Sequence, residues 1–171
     1  MLIDLHKGNI LDVKADTLVL PVDGSGPGLE GNIARQLMKR LAIEAMHELY
    51  APPPYYPYNG SCYWSGTIAG YDETHFNNTC CLGFLSHAPG ANVKGYMASA
   101  FAEMLSHAGM DPGYANSFAC PVLRGGHRLN YVDAIYIMLG EIEKAEGWTT
   151  TITIAERDPE KFEILKGIVR L

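Results

Sequence analysis

The sequence has no run approaching the roughly 18 consecutive apolar residues that a membrane-spanning helix requires, so a membrane role is not expected. It is short of basic residues: 13 Lys and Arg stand against 19 Asp and Glu, for a formal charge of −6. That balance argues against wrapping long nucleic acid through a broad basic surface. Its four cysteines, Cys62, Cys80, Cys81 and Cys120, contain no Cys-x-x-Cys, which excludes a zinc ribbon and a thioredoxin motif and leaves reduced, largely core thiols. The six histidines show no His-Glu-x-x-His or other ligand spacing, so no metal and no cofactor are expected. The amino terminus, Met1 to His6, carries Asp4 where a secretory signal needs a basic region. A cytoplasmic location is the expectation.

What remains is 47% apolar and 19% charged over 171 residues, the size and composition of one folded domain, taken as 1–171. Leu2 to His6 reads as a short strand and Thr17 to Val22 as a continuous apolar run, the pattern of a strand covered on both faces. A Gly-rich turn follows Asp23, and helical spacing then runs from about Leu29 to Tyr50 through Ile33, Leu37, Met38, Leu41 and Met46. Pro52 to Tyr58 cannot continue a helix, because proline lacks an amide donor and restricts the residue before it. Gly66 to Tyr71 and Thr79 to Leu85 read as strands, Val93 to Ala108 as a helix, and Ser117 to Val122 as a strand. A helical stripe from Val132 to Ile142, a β-branched strand from Thr149 to Ile154 and a helix opened by Pro159 complete the chain. This alternation predicts an α/β domain with helices on both faces of a largely parallel or mixed sheet. Ligands in such folds sit at the carboxyl ends of the strands.

Two Gly-rich turns follow strands. The first, Gly24-Ser25-Gly26-Pro27-Gly28, opens a helix, and glycines there let backbone amides approach an anion that the helix terminus also favours. Gly26 to Gly31 satisfies Gly-x-Gly-x-x-Gly, but the region that should hold the ribose-binding acid is Ala51-Pro52-Pro53-Pro54-Tyr55, so a nicotinamide enzyme is set aside. A nucleoside triphosphate loop fails because Asn32-Ile33 follow Gly31 in place of Lys and Ser or Thr. The second turn, Arg124-Gly125-Gly126-His127-Arg128, is locally cationic and suits a phosphate or carboxylate. A cysteine phosphatase needs Arg six residues after its nucleophile, and the sixth residue after Cys120 is Gly126. Tyr55, Tyr56, Tyr58, Tyr63 and Trp64 suit either a pocket lid or a loop packed on the sheet.

Over nearly its whole length the chain resembles the macrodomain family of ADP-ribose-binding modules. The family opens with Gly-Asp-Ile-Thr and Val-Asp-Ala-Ile-Val-Asn-Ala-Ala-Asn. This chain reads Gly8-Asn9-Ile10-Leu11 and Ala15-Asp16-Thr17-Leu18-Val19-Leu20-Pro21-Val22-Asp23, without a gap. Gly26 to Arg35 is similar to the family's glycine run and helix, and Cys120 to Leu129 matches its second phosphate loop by position. The resemblance implies a three-layer α/β/α macrodomain-like fold with a central mixed sheet. It places a ligand on Asn9, Ile10, Asp23, Gly24, Ser25, Gly26, Gly28, Leu29, Leu123, Arg124, Gly125, Gly126, His127, Arg128 and Glu156.

The implied function is binding of ADP-ribose or a related nucleotide diphosphate. Asn9 replaces the family's adenine-reading Asp and keeps an acceptor oxygen, and Asp23 stands where hydrolytic members carry a ribose-contacting Asn. Arg124 and His127 replace small or apolar residues. Hydrolysis of an ADP-ribosyl or terminal phosphate bond would use Asp23 as base, with His127 or Arg124 offsetting developing charge. A non-catalytic reader of ADP-ribosylated protein stays open, as does a scaffold or homo-oligomer whose altered pocket takes a different ligand.

Overall fold

The computed structural model describes residues 1–23, 32–39, 60–64, 75–84, 90–107, 117–125, 128–145 and 150–170. Strand β2 (Thr17–Asp23) explains its own composition: Leu18, Val19, Leu20 and Val22 are all fully buried, because apolar layers cover both faces. The neighbouring β4 (Asn78–Phe84) is buried at every position for the same reason. With β1 (Leu2–Lys7), β3 (Cys62–Trp64), β5 (Ser117–Pro121) and β6 (Thr151–Glu156) they form a six-stranded sheet of order β1-β6-β5-β2-β4-β3. All neighbours run parallel except β3, which pairs antiparallel with β4 and makes the sheet mixed.

Side-chain alternation sorts the two cores. On one face Val19, Cys80, Leu82, Phe118, Cys120, Ile152 and Ile154 meet Met97, Phe101 and Met104 of α2 (Gly90–His107), Ile135 and Met138 of α3 (Tyr131–Lys144) and Leu165 of α4 (Pro159–Val169). On the other, Leu18, Leu20, Val22, Cys81 and Ala119 meet Ala34 and Leu37 of α1 (Asn32–Met38), Phe76, and Ile10 and Leu11 of a single 3₁₀ turn, Ile10–Asp12. The result is the three-layer α/β/α arrangement expected from the alternation of elements.

Local chemistry sets the element ends. Asn130 caps α3 by accepting from the amides of Val132 (2.9 Å) and Asp133 (3.4 Å). Asp158 caps α4 by accepting from Glu160 (2.9 Å) and Lys161 (3.1 Å), with Pro159 in the first turn, where its missing donor costs nothing. Of the helix expected from Leu29 to Tyr50, Asn32–Met38 is helical and residues 40–50 lie outside the described residues, as does the strand expected at Gly66 to Tyr71. Strand β3 was not expected. Tyr63 and Trp64 belong to this edge strand, Trp64 against Phe118 (ring centroids 6.2 Å apart) and stacked on His107 (6.4 Å), so neither forms part of a lid.

The order of the strands positions the site. From β2 the chain proceeds to β3 and β4 on one side of the sheet, and from β5 to β6 on the other, so the switch point lies between β2 and β5. Their ladder is short: only Thr17 with Phe118 and Leu18 with Ala119 are paired, although β2 continues to Asp23 and β5 to Pro121. Their carboxyl-terminal halves are therefore not joined to each other. Phe118 packs beside the surviving ladder and is fully buried. Phe118→Ala should lower unfolding free energy by about 3–5 kcal/mol, read by urea denaturation.

Candidate nucleotide-binding edge

All five parallel strands end at one edge, and the described residues singled out from the sequence gather on it from four of them. Asn9 and Ile10 follow β1, Asp23 ends β2 beside Phe84 of β4, Leu123 to Gly125 follow β5, and Glu156 ends β6 beside Lys7. Gly24, Ser25, Gly26, Gly28, Leu29, Gly126 and His127 lie outside the described residues.

The side chains divide into those built into the fold and those facing outward. Asn9 Oδ1 accepts the Leu11 amide at 3.0 Å and caps the 3₁₀ turn, so the acceptor assigned to a purine amine already has one donor and retains one lone pair. Ile10 is core, only 7% exposed, and so is Leu123. Glu156 is half-buried, and its Oε2 accepts the Asp158 amide at 3.0 Å, which turns the chain into α4. Arg128 is exposed.

Arg124 is turned onto its own loop. Its Nε donates to the Leu129 carbonyl at 3.0 Å while the Leu129 amide donates to the Arg124 carbonyl at 3.0 Å, closing residues 124–129 from both sides. Its guanidinium carbon lies 6.0 Å from the centre of the Tyr131 ring, and Lys161 Nζ approaches the same ring to 5.8 Å. Sequence reasoning missed Tyr131. Its hydroxyl is buried without completing a hydrogen bond, and burial first, then the Glu156 carboxylate it faces, push the phenol above its ordinary value. Its position just after the Asn130 cap was the available signal, since a helix entered from a ligand loop carries its first side chains close to that loop.

Gly125 is required by geometry. Its φ of +61° lies in the left-handed region, and a Cβ there would clash with Val93 Cγ1 at the start of α2. Gly125 thus lies against the layer that covers β4.

The cysteines serve packing. All four are free, Cys80, Cys81 and Cys120 are buried, and burial raises the pKa of each of these three, that of Cys81 to about 12. Among the described residues no group of three or more His, Cys, Asp and Glu side chains is placed to hold a metal ion, and no helix is long and apolar enough to cross a membrane.

Three layers around a mixed six-stranded sheet, with the switch point between β2 and β5, define an α/β/α fold. No family model and no curated protein matches the sequence. Solved structures do. A Trypanosoma brucei macrodomain in complex with ADP is 16% identical, with a TM-score of 0.75 over 98% of this chain and 69% of that one. In complex with ADP-ribose it gives 14% and 0.74 over 98% and 68%. A mutant Oceanobacillus iheyensis macrodomain gives 14% and 0.73 over 97% and 89%, and the macrodomain of Mycobacterium tuberculosis DarG gives 14% and 0.67 over 92% and 99%. The chain has a divergent macrodomain fold.

Two outcomes follow from the geometry. Gly125→Ala should cost about 1–3 kcal/mol in urea denaturation, since neither the backbone conformation nor the space suits a side chain. The raised thiol pKa values work on stability in one direction. An unfolded thiol ionises near 8.5 and Cys81 only near 12, so the stabilisation is complete below about pH 8.5 and is lost as pH rises toward 12. The urea midpoint should therefore fall between about pH 9 and 11, and at pH 8 iodoacetamide should label half-buried Cys62 well before the other three.

Proposed function

We propose that the protein binds ADP-ribose or a related nucleotide diphosphate at the carboxyl edge of its sheet, between β2 and β5. The observation that carries this reading is the early end of the β2–β5 ladder at Leu18 and Ala119, at the central switch point of the edge where Asn9, Asp23, Leu123 to Gly125 and Glu156 gather. Backbone amides of the turns at Gly24 to Leu29 and Gly125 to Arg128 would meet the pyrophosphate, Asp23 a ribose, and the Asn9–Ile10 and Glu156 end of the edge the remaining nucleoside. The ADP and ADP-ribose complexes of the Trypanosoma brucei macrodomain support this choice of ligand by likeness of fold.

One observation favours a binding module over a hydrolase. The Arg124 Nε is bonded within its own loop and the guanidinium lies over Tyr131, an arrangement that holds the loop in shape. Catalysis would then rest on Asp23 as base and His127 as the group offsetting developing charge. The reading extends to a cytoplasmic protein, folded as one domain over 1–171, that recognises free ADP-ribose or an ADP-ribosylated protein.

Calorimetric titration with ADP-ribose, ADP, AMP and NAD tests it. Micromolar binding of ADP-ribose is expected, weakened about tenfold or more by Gly126→Glu, which brings a carboxylate into the phosphate loop. No heat with any of the four would overturn the reading. ADP-ribosylated protein recovered unchanged after long incubation assigns a reader; release of ADP-ribose that Asp23→Asn abolishes assigns a hydrolase.

A further inference from the structure

β1 is the outermost strand on one side of the sheet. Among the described strands it pairs with β6 alone, and Leu2, Asp4 and Lys7 along it are exposed. An unpaired outer strand offers its free backbone groups to a further strand. The nucleotide reading makes no use of them.

The hydrogen bonds to β6 identify which groups are free. The Leu2 amide donates to the Thr150 carbonyl and the Gly8 amide to the Glu156 carbonyl, both at 2.9 Å. Alternate residues of a strand turn their amides and carbonyls to opposite sides. Leu2, Asp4, His6 and Gly8 therefore bond toward β6, and Ile3, Leu5 and Lys7 present their amides and carbonyls outward. The side chains divide as well. Ile3 and Leu5 pack on the apolar cluster beneath α2, α3 and α4, whereas Leu2 and Asp4 stand exposed on the opposite face. Three large apolar side chains are exposed among the described residues: Leu2 (68%), Tyr136 and Ile164 (44%). Two of the three belong to β1 and to α4, which packs against it.

We propose that the outer side of β1 docks a second copy of the chain, with the two β1 strands antiparallel and the two six-stranded sheets joined into one. Backbone and charge together fix the register. Outward residues must face outward residues, which leaves three symmetric pairings about the middle of the strand, centred on Asp4, Leu5 or His6. A centre on Asp4 or on His6 sets that side chain against its own copy. The centre on Leu5 sets the Asp4 carboxylate opposite His6 of the partner copy, twice, at the closely spaced positions that share no backbone bond. An imidazole donates an N–H to a carboxylate whether it is neutral or charged. Ile3 then faces the partner copy's Lys7, whose aliphatic stem covers it, and Leu5 meets its counterpart on the two-fold axis. Both copies of α4 lie on the same face of the joined sheet, one on each side of the axis. A second copy is favoured over an unrelated strand because β1 itself supplies the complement of Asp4.

Sedimentation over a wide range of protein concentration tests the proposal. A reversible dimer is expected, weak and concentration-dependent as suits a contact of this size. Asp4→Lys and His6→Glu, at side chains outside both apolar clusters, should each weaken self-association by about tenfold. The two variants mixed should associate with each other more tightly than either does with itself, because the register sets the altered position of one against that of the other. In the wild-type dimer, hydrogen exchange should slow at the amides of Ile3, Leu5 and Lys7 and stay unchanged at Asp4 and His6, which β6 already holds. The mass of one chain at every concentration would overturn the proposal, as would a dimer whose affinity is the same in both variants, or no gain on mixing them. None of these outcomes depends on the nucleotide titration.

Discussion

The structure depends on one strand that must do two things. β2 lies in the interior of the sheet, buried on both faces, so it needs neighbours along its length; yet its carboxyl half parts from β5 after two residue pairs. β4 resolves the conflict by pairing with β2 from Thr17 to Asp23, in register with Asn78 to Phe84. With one flank fully bonded, the other can be released after two residue pairs. The parting also leaves Val122 to Gly125 to continue as a turn, and the left-handed Gly125 lets that turn lie against Val93 and α2.

The two edges of the sheet differ electrostatically for a topological reason. Parallel strands joined by helices collect helix amino termini at the carboxyl edge and helix carboxyl termini at the amino edge. The chain's own charges are mixed at both edges, with Arg124 and Arg128 after β5 sharing the first edge with Asp23 and Glu156, and Asp16 before β2 standing near Lys14 at the second. A net charge of −6 conceals this arrangement, since it records a sum and not a distribution.

Particular residues show where sequence reading succeeds. Runs buried on both faces, such as Thr17 to Val22, and helices opened by a cap and a proline, such as Asp158-Pro159, carry their structure in local composition, and both appear within a residue or two of the expected limits. Strand β3 does not. Cys62-Tyr63-Trp64 is too short for a period, and its conformation comes from pairing with β4 across a long connection. Arg124 and Tyr131 show the same limit at the site. Nothing local states that a guanidinium beside two glycines will bond to the Leu129 carbonyl and lie on a ring seven positions further on.

The sequence by itself determined the alternation of strands and helices, the apolar runs that must be covered on both faces, and the glycines that mark two turns, because these follow from periodicity and backbone freedom over a few residues. Only the tertiary structure decided which strands are neighbours, where the β2–β5 ladder stops, and which side chains at each edge face outward and which are tied into a turn. Those outcomes depend on contacts between residues such as Asp16 and Ser117, 101 positions apart, whose formation is a property of the folded chain and of no segment within it.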